Sequence, residues 1–353
     1  MSFEGKIVFL VPGFPEDEED QNCLPYLQDL MLLLNDRLSP DQIEIISFQY
    51  PFKRSSYIWN GIQVHTIGGK NRKGVFKIIT WIRVLSLLKS IHNNRNISVL
   101  HAVWLNETAL LAQIFGYFFK IKTLATIIGQ DPLKSNKYLK LLNLKNFRLI
   151  GISSFVSVQL LANTGHAPED IIPLVWREEV FNDLPISTIN VDVLGVGNLS
   201  PLKNYKLFIE VIALLVPELP NIKSVIVGSG KQHDELQRLI TEKQLHNNIQ
   251  LLGETDRNLV LSIMQHGKVL LHTSNYESQG FAMSEALYLG MKVVSTPVSD
   301  TESNHYIQVG KTAEDLANCV HKALSNETRE SIVYYSPEKA VDQYISHYLT
   351  LTK

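Results

Sequence analysis

Short apolar runs alternate with helix-period segments along almost the whole chain, and that alternation leaves few folds open. In the C-terminal half, strand-like runs at 191–197, 224–227, 249–252, 269–272 and 292–296 interleave with helical patterns at 205–216, 234–242, 258–264, 282–289 and 313–324. The N-terminal half follows the same rhythm. Strand-like runs at 6–11, 43–48, 63–67, 98–102, 123–128 and 149–152 are separated by helical patterns at 24–38, 75–91, 107–119 and 155–164. The reading is α/β, with parallel sheets in two Rossmann-like domains. Residues 178–190 break the rhythm with acids, Pro185 and small polar residues, and are read as the interdomain link. The domains are therefore set at 1–180 and 191–330, with a last helical segment at 331–353.

The chain has 353 residues, 45% hydrophobic and 19% charged, enough for two cores of ordinary composition. Cys23 and Cys319 are far apart and form neither a disulfide framework nor a zinc spacing, which suits a reducing cytoplasm. The N-terminus lacks the pattern of a signal peptide, and the apolar run at 108–119 is too short to span a bilayer. The expected location is cytoplasmic or peripheral at the inner face of the cell membrane. The formal net charge of −2 conceals an asymmetry: between Ile45 and Pro168 there are 16 Lys and Arg against two acids, Glu107 and Asp131. That surplus points to an anionic partner. With the apolar-basic segment at 75–91, an anionic membrane surface is the partner expected, rather than a nucleic acid.

The chemistry concentrates at Glu277-Ser-Gln-Gly280-Phe-Ala-Met-Ser-Glu285. The order strand, glycine turn, helix, strand presents a helix N-terminus at the edge of a parallel sheet, a place suited to phosphate. Glu277 falls in the loop before the helix and Glu285 more than a turn inside it. A ligand with hydroxyls at both ends and phosphates between them fits: a nucleotide sugar.

This stretch resembles the E-x7-E signature of the retaining glycosyltransferases of family 4, the glycosyl transferases group 1. Glu277, Gly280, Glu285, Ala286, Gly290, Val293 and Val294 match it. Three further segments resemble the family's motifs in order and spacing: Val196-Gly-Asn-Leu-Ser-Pro-Leu-Lys203-Asn, Val225-Ile-Val-Gly228-Ser-Gly230 and Ile249-Gln-Leu-Leu-Gly253. The resemblance covers the C-terminal half. It implies the GT-B fold, two Rossmann-like domains facing across a cleft, with the final helix crossing back to the first domain. It also implies a metal-independent, retaining transfer of a sugar from a nucleotide-diphosphate sugar to a saccharide or lipid-linked acceptor. No cofactor and no metal are expected, the nucleotide sugar being a substrate.

The resemblance also assigns roles. Lys203 supplies the cation at the donor phosphates, as a departing diphosphate requires. Gly280, Phe281 and Ala282 offer backbone N–H groups to the distal phosphate. Glu277 binds the transferred sugar and Glu285 the ribose hydroxyls. Gly13, after the first strand, lies near the diphosphate or is a plain turn. Asp131 orients an acceptor hydroxyl or caps a helix. Leu251 or Leu252 offers main chain to the base, and Glu302 is a further candidate. Asn198 stands where the family carries Arg; it donates hydrogen bonds but brings no charge. Lys206 is a candidate substitute. Ile128 stands where the family carries His, and His101 reads as a core residue. These departures motivate an alternative: a non-catalytic relative that binds a nucleotide sugar. A sugar-nucleotide epimerase is a weaker third reading. A dinucleotide dehydrogenase is disfavoured because Gly228-Ser-Gly230 lacks the fingerprint's third glycine.

Overall fold

The computed structural model describes residues 4–39, 41–301, 303–326 and 328–352. The chain divides into two compact units: Met1–Arg177 with Ser336–Lys353, and Glu178–Tyr335.

The first unit opens with β1 (Lys6–Gly13), α1 (Pro25–Arg37) and β2 (Ile43–Tyr50). A hairpin of β3 (Ser55–Trp59) and β4 (Ile62–Thr66) follows, then α2 (Val75–Arg95), β5 (Ile97–Val103), α3 (Glu107–Phe119), β6 (Lys122–Ile127), β7 (Phe147–Gly151), α4 (Ser154–Thr164) and the short β8 (Asp170–Ile171). The eight strands lie in the order β3-β4-β2-β1-β5-β6-β7-β8. All pairs are parallel except β3 with β4. The central strand β1 is buried on both faces, as its unbroken apolar run requires.

The second unit contains β9 (Val193–Val196), α5 (Tyr205–Leu215), β10 (Ser224–Val227), α6 (His233–Glu242), β11 (Ile249–Gly253), α7 (Arg257–His266), β12 (Val269–His272), α8 (Phe281–Tyr288), β13 (Lys292–Ser295), β14 (Ile307–Val309) and α9 (Ala313–Leu324). Its six strands are all parallel, in the order β11-β10-β9-β12-β13-β14. Successive residues of each strand serve opposite cores. Val193, Val269, Leu271 and Val294 pack into one; Leu194, Leu270 and Val293 pack into the other.

The stretch 178–190, read as a link, is packed into the second unit. Val180, Phe181, Leu184 and Ile189 lie against the core that holds Leu194 and Leu270, and the Phe181 and Tyr288 rings are 4.4 Å apart. Polarity and a proline hid four apolar anchors. The last helix, α10 (Pro337–Leu351), belongs to the first unit. Its Tyr344 and Tyr348 are buried there: the Tyr348 hydroxyl lies 2.8 Å from His101 Nδ1, and His101 Nε2 lies 2.8 Å from Thr126 Oγ1. Burial pushes the His101 imidazole down to about 3, so it is neutral, a core histidine with both nitrogens partnered. No described helix is long and apolar enough to cross a membrane.

Candidate active site

In the second unit the chain winds outward from β9 through β10 to β11, then restarts on the other side of β9 with β12. The order reverses between β9 and β12, and open α/β sheets bind ligands outside the carboxyl ends of their strands at such a point. Lys203 lies in the loop after β9 and Glu277 in the segment after β12. The two side chains meet: Lys203 Nζ donates to Glu277 Oε2 at 2.5 Å.

Several bonds hold this meeting in place. Thr273 Oγ1 donates to the Lys203 carbonyl at 3.0 Å, and Asn275 N donates to the Leu202 carbonyl at 2.8 Å. His272, the last residue of β12, brings Nε2 within 3.4 Å of Glu277 Oε2. Burial pushes this imidazole below the usual histidine range, so it is uncharged at neutral pH. A neutral ring that donates from Nε2 leaves Nδ1 as an acceptor, and that atom is buried without a hydrogen-bond partner among the described residues. Burial also works to raise the Glu277 carboxyl, but the His272 hydrogen bond and the Lys203 charge outweigh it and hold it at about 2. Glu277 is therefore a fixed anion.

Gly280 stands at the N-cap of α8 in the left-handed region, with φ 79°, and as a glycine it brings no capping side chain of its own. Its first turn, with Phe281 and Ala282, lies just beyond Glu277 at the carboxyl edge of the sheet. On the neighbouring loops, a Cβ on Gly228 would stand 2.0 Å from the Gly197 carbonyl oxygen. That position demands glycine because two backbones touch there.

Glu285 is engaged with another residue. Arg257, in the first turn of α7, donates to Glu285 Oε1 from Nε at 3.2 Å and from Nη2 at 2.9 Å, and both side chains are largely buried. The guanidinium also lies 5.8 Å from the centre of the Phe281 ring. Asn198 is exposed on the loop after β9. Lys206 is paired with Glu235 at 2.5 Å.

The remaining candidates lie in the first unit or outside the description. Gly13 ends β1 at the carboxyl edge of its own sheet; a Cβ there would meet only ordinary contacts, 3.6 Å from Tyr50 Cβ. Asp131 is buried, and its Oδ2 accepts from the backbone N–H groups of Leu105 at 2.7 Å and Ile128 at 3.1 Å. It ties the loops after β5 and β6 together. Glu302 lies outside the described residues. Among the described residues, no group of three or more His, Cys, Asp or Glu could hold a metal ion. Sequence reasoning does not single out His272 or Arg257. His272 carries a signal, a polar residue at the carboxyl end of a buried parallel strand. Nothing near Arg257 marks it, since its partner is 28 positions away.

The glycosyl transferases group 1 model matches residues 177–339, a span that contains the whole second unit. Residues 177–339 form a group 1 glycosyltransferase domain. It is 21% identical over 328 residues to a phosphatidylinositol N-acetylglucosaminyltransferase subunit of Arabidopsis thaliana, covering 88% of this chain and 72% of that one. It is 27% identical over 171 residues to the poly(ribitol-phosphate) alpha-N-acetylglucosaminyltransferase of Staphylococcus aureus, covering 43% of this chain and 34% of the relative. Over 98% of its length it superposes on the whole chain of Anabaena HepE, solved in complex with UDP and glucose, with TM-score 0.69 and 16% identity. The chain thus has the GT-B fold.

Proposed function

We propose that this enzyme moves a sugar from a nucleotide-diphosphate sugar to a saccharide or lipid-linked acceptor, with retention and without a metal. The observation that carries the reading is the Lys203–Glu277 pair at the β9/β12 reversal, beside the glycine-led start of α8. The anomeric carbon–oxygen bond breaks and negative charge grows on the departing diphosphate. Lys203 and the first N–H groups of α8 are the donors suited to it. The acceptor oxygen attacks on the face the diphosphate leaves, and its proton passes to a diphosphate oxygen. Glu277, ionised at every working pH, accepts hydrogen bonds from hydroxyls of the transferred sugar and holds Lys203 in place. Glu285, already clamped by Arg257, offers its carboxylate to the ribose. Asp131 acts as a positioning residue. The free Cys23 and Cys319 and the basic stretch suit the cytoplasmic side, at the inner face of the membrane.

A thermal-shift series with nucleoside diphosphates and their sugars should show selective stabilisation, about 3 kcal/mol at a hundredfold excess over Kd. Lys203→Ala and Glu277→Gln should each lower transfer at least about a hundredfold, the scale of losing one fixed donor to a developing anion. Transfer close to the wild-type rate in either variant refutes the assignment.

A further inference from the structure

Helix α2 has two apolar sides. Thr80, Val84, Leu88 and Ile91 form the buried stripe that packs onto the first unit. Helical spacing sets Val75, Ile78, Ile79 and Ile82 on the opposite side. They are exposed, by 62, 53, 37 and 60% respectively, and Phe76 beside them by 53%. Further along this outward side come Ser86, Lys89, Ser90 and Asn93, all exposed and polar. The outer apolar face is thus confined to the first turns. Single exposed apolar residues are ordinary, but a contiguous patch of five large ones marks a surface that meets something.

The charge around the patch says what. Lys70, Arg72 and Lys73 run up to the helix start, and all are exposed. The Arg72 guanidinium lies 5.2 Å from the centre of the Phe76 ring, and Lys77 Nζ and Lys137 Nζ lie 5.2 and 5.8 Å from that of Tyr138. No Asp or Glu occurs between Glu44 and Glu107. Glu107 itself is buried, bonded to Gln49 and Trp81 and paired with Lys77. Cations and aromatic rings around an apolar face, with no exposed acid among them, match the headgroup zone of an anionic bilayer. The helix start also sits at the carboxyl edge of its sheet, since Asn71 N donates to Gln49 Oε1 near the end of β2 at 2.8 Å. That is the ligand-binding edge of an open α/β sheet.

We propose that the first two turns of α2 insert into the headgroup region of an anionic membrane, with Lys70, Arg72 and Lys73 on the lipid phosphates. The proposal rests on the lipid-linked reading of the acceptor, and it brings the carboxyl edge of the first sheet to the bilayer surface.

Sedimentation of the full chain with vesicles tests it, one set of phosphatidylglycerol with phosphatidylcholine and one of phosphatidylcholine alone. The chain should bind the anionic vesicles at low salt and scarcely bind the neutral ones. Arg72→Ser with Lys73→Ser should weaken binding about fivefold for each cation removed. Ile78→Ser with Ile82→Ser should weaken it at least about tenfold. All four side chains are exposed, so both variants should keep the wild-type thermal shift with nucleoside diphosphates. No binding of the wild type to anionic vesicles overturns the proposal, as does unchanged binding by the isoleucine variant. A wild-type dimer that Ile78→Ser with Ile82→Ser turns into a monomer, with vesicle binding unaltered, also overturns it and makes the face a self-interface. Vesicle binding without any nucleotide shift counts against the donor reading and leaves this one standing.

Discussion

Asp131 turns its carboxylate to the backbone: two N–H groups from separate loops converge on one oxygen. Burial raises this carboxyl to about 7, against the lowering effect of those two bonds. The folded chain therefore holds a proton that the unfolded chain releases near pH 4. Between about pH 4 and 7 the folded state binds more protons, so stability falls as pH rises through that window. Asp131→Asn keeps an acceptor oxygen and has no charge to bury. Urea denaturation should show the wild type losing stability relative to Asp131→Asn from pH 4.5 to 7.5. Parallel profiles would sink the idea. His101 pulls the other way, since its folded value near 3 makes stability fall as pH drops below about 6.5. The comparison with the Asn variant cancels that contribution. Glu277, at about 2, stays ionised in the folded chain, and its unfolded carboxyl takes up protons only at the acid end of the window, a contribution the same comparison cancels. Lys203 and Glu277 are legible in the sequence because each sits in an ordered local pattern. Arg257 is not, because its meaning comes from a partner on another helix.

Among the elements, the alternation of strand and helix is legible because parallel strands buried on both faces are unbroken apolar runs. The hairpin of β3 and β4 is only half legible, its second strand alone reading as extended. Its signal is present in Asn60-Gly61, a two-residue turn with φ 44° and 80° between two strands. Helix α10 reads as a last helix returning to the first domain, but the pattern does not say what fastens it there. Two tyrosines do: both hydroxyls reach into the first unit, Tyr348 to His101 and Tyr344 to Thr126 at 3.1 Å. Tyr348→Phe leaves one buried imidazole nitrogen without its partner and should cost about 1–3 kcal/mol. Chemical denaturation checks it, and an unchanged midpoint would show that the network contributes nothing. The stretch 178–190 misleads because turn-forming residues outnumber its apolar anchors, and only the packing reveals which residues count.

At the scale of the molecule, net charge is a poor guide. A chain with a formal charge of −2 and pI near 6.6 should pass through a cation exchanger at neutral pH. The concentration of 16 cations against two acids between Ile45 and Pro168 predicts the opposite, retention at low ionic strength and elution as salt screens the patch. Flow-through at low salt would contradict it. The path of the chain has a different consequence. The first unit takes up residues from both ends, and the second lies between them in sequence. On the ribosome, β8 emerges long before α10 is made; the interval is roughly ten to thirty seconds at ordinary rates of synthesis. During that interval the nascent sheet exposes His101 and the apolar floor meant for two tyrosines. A chaperone that shields this bare floor until α10 is made would be the natural companion of the newborn chain.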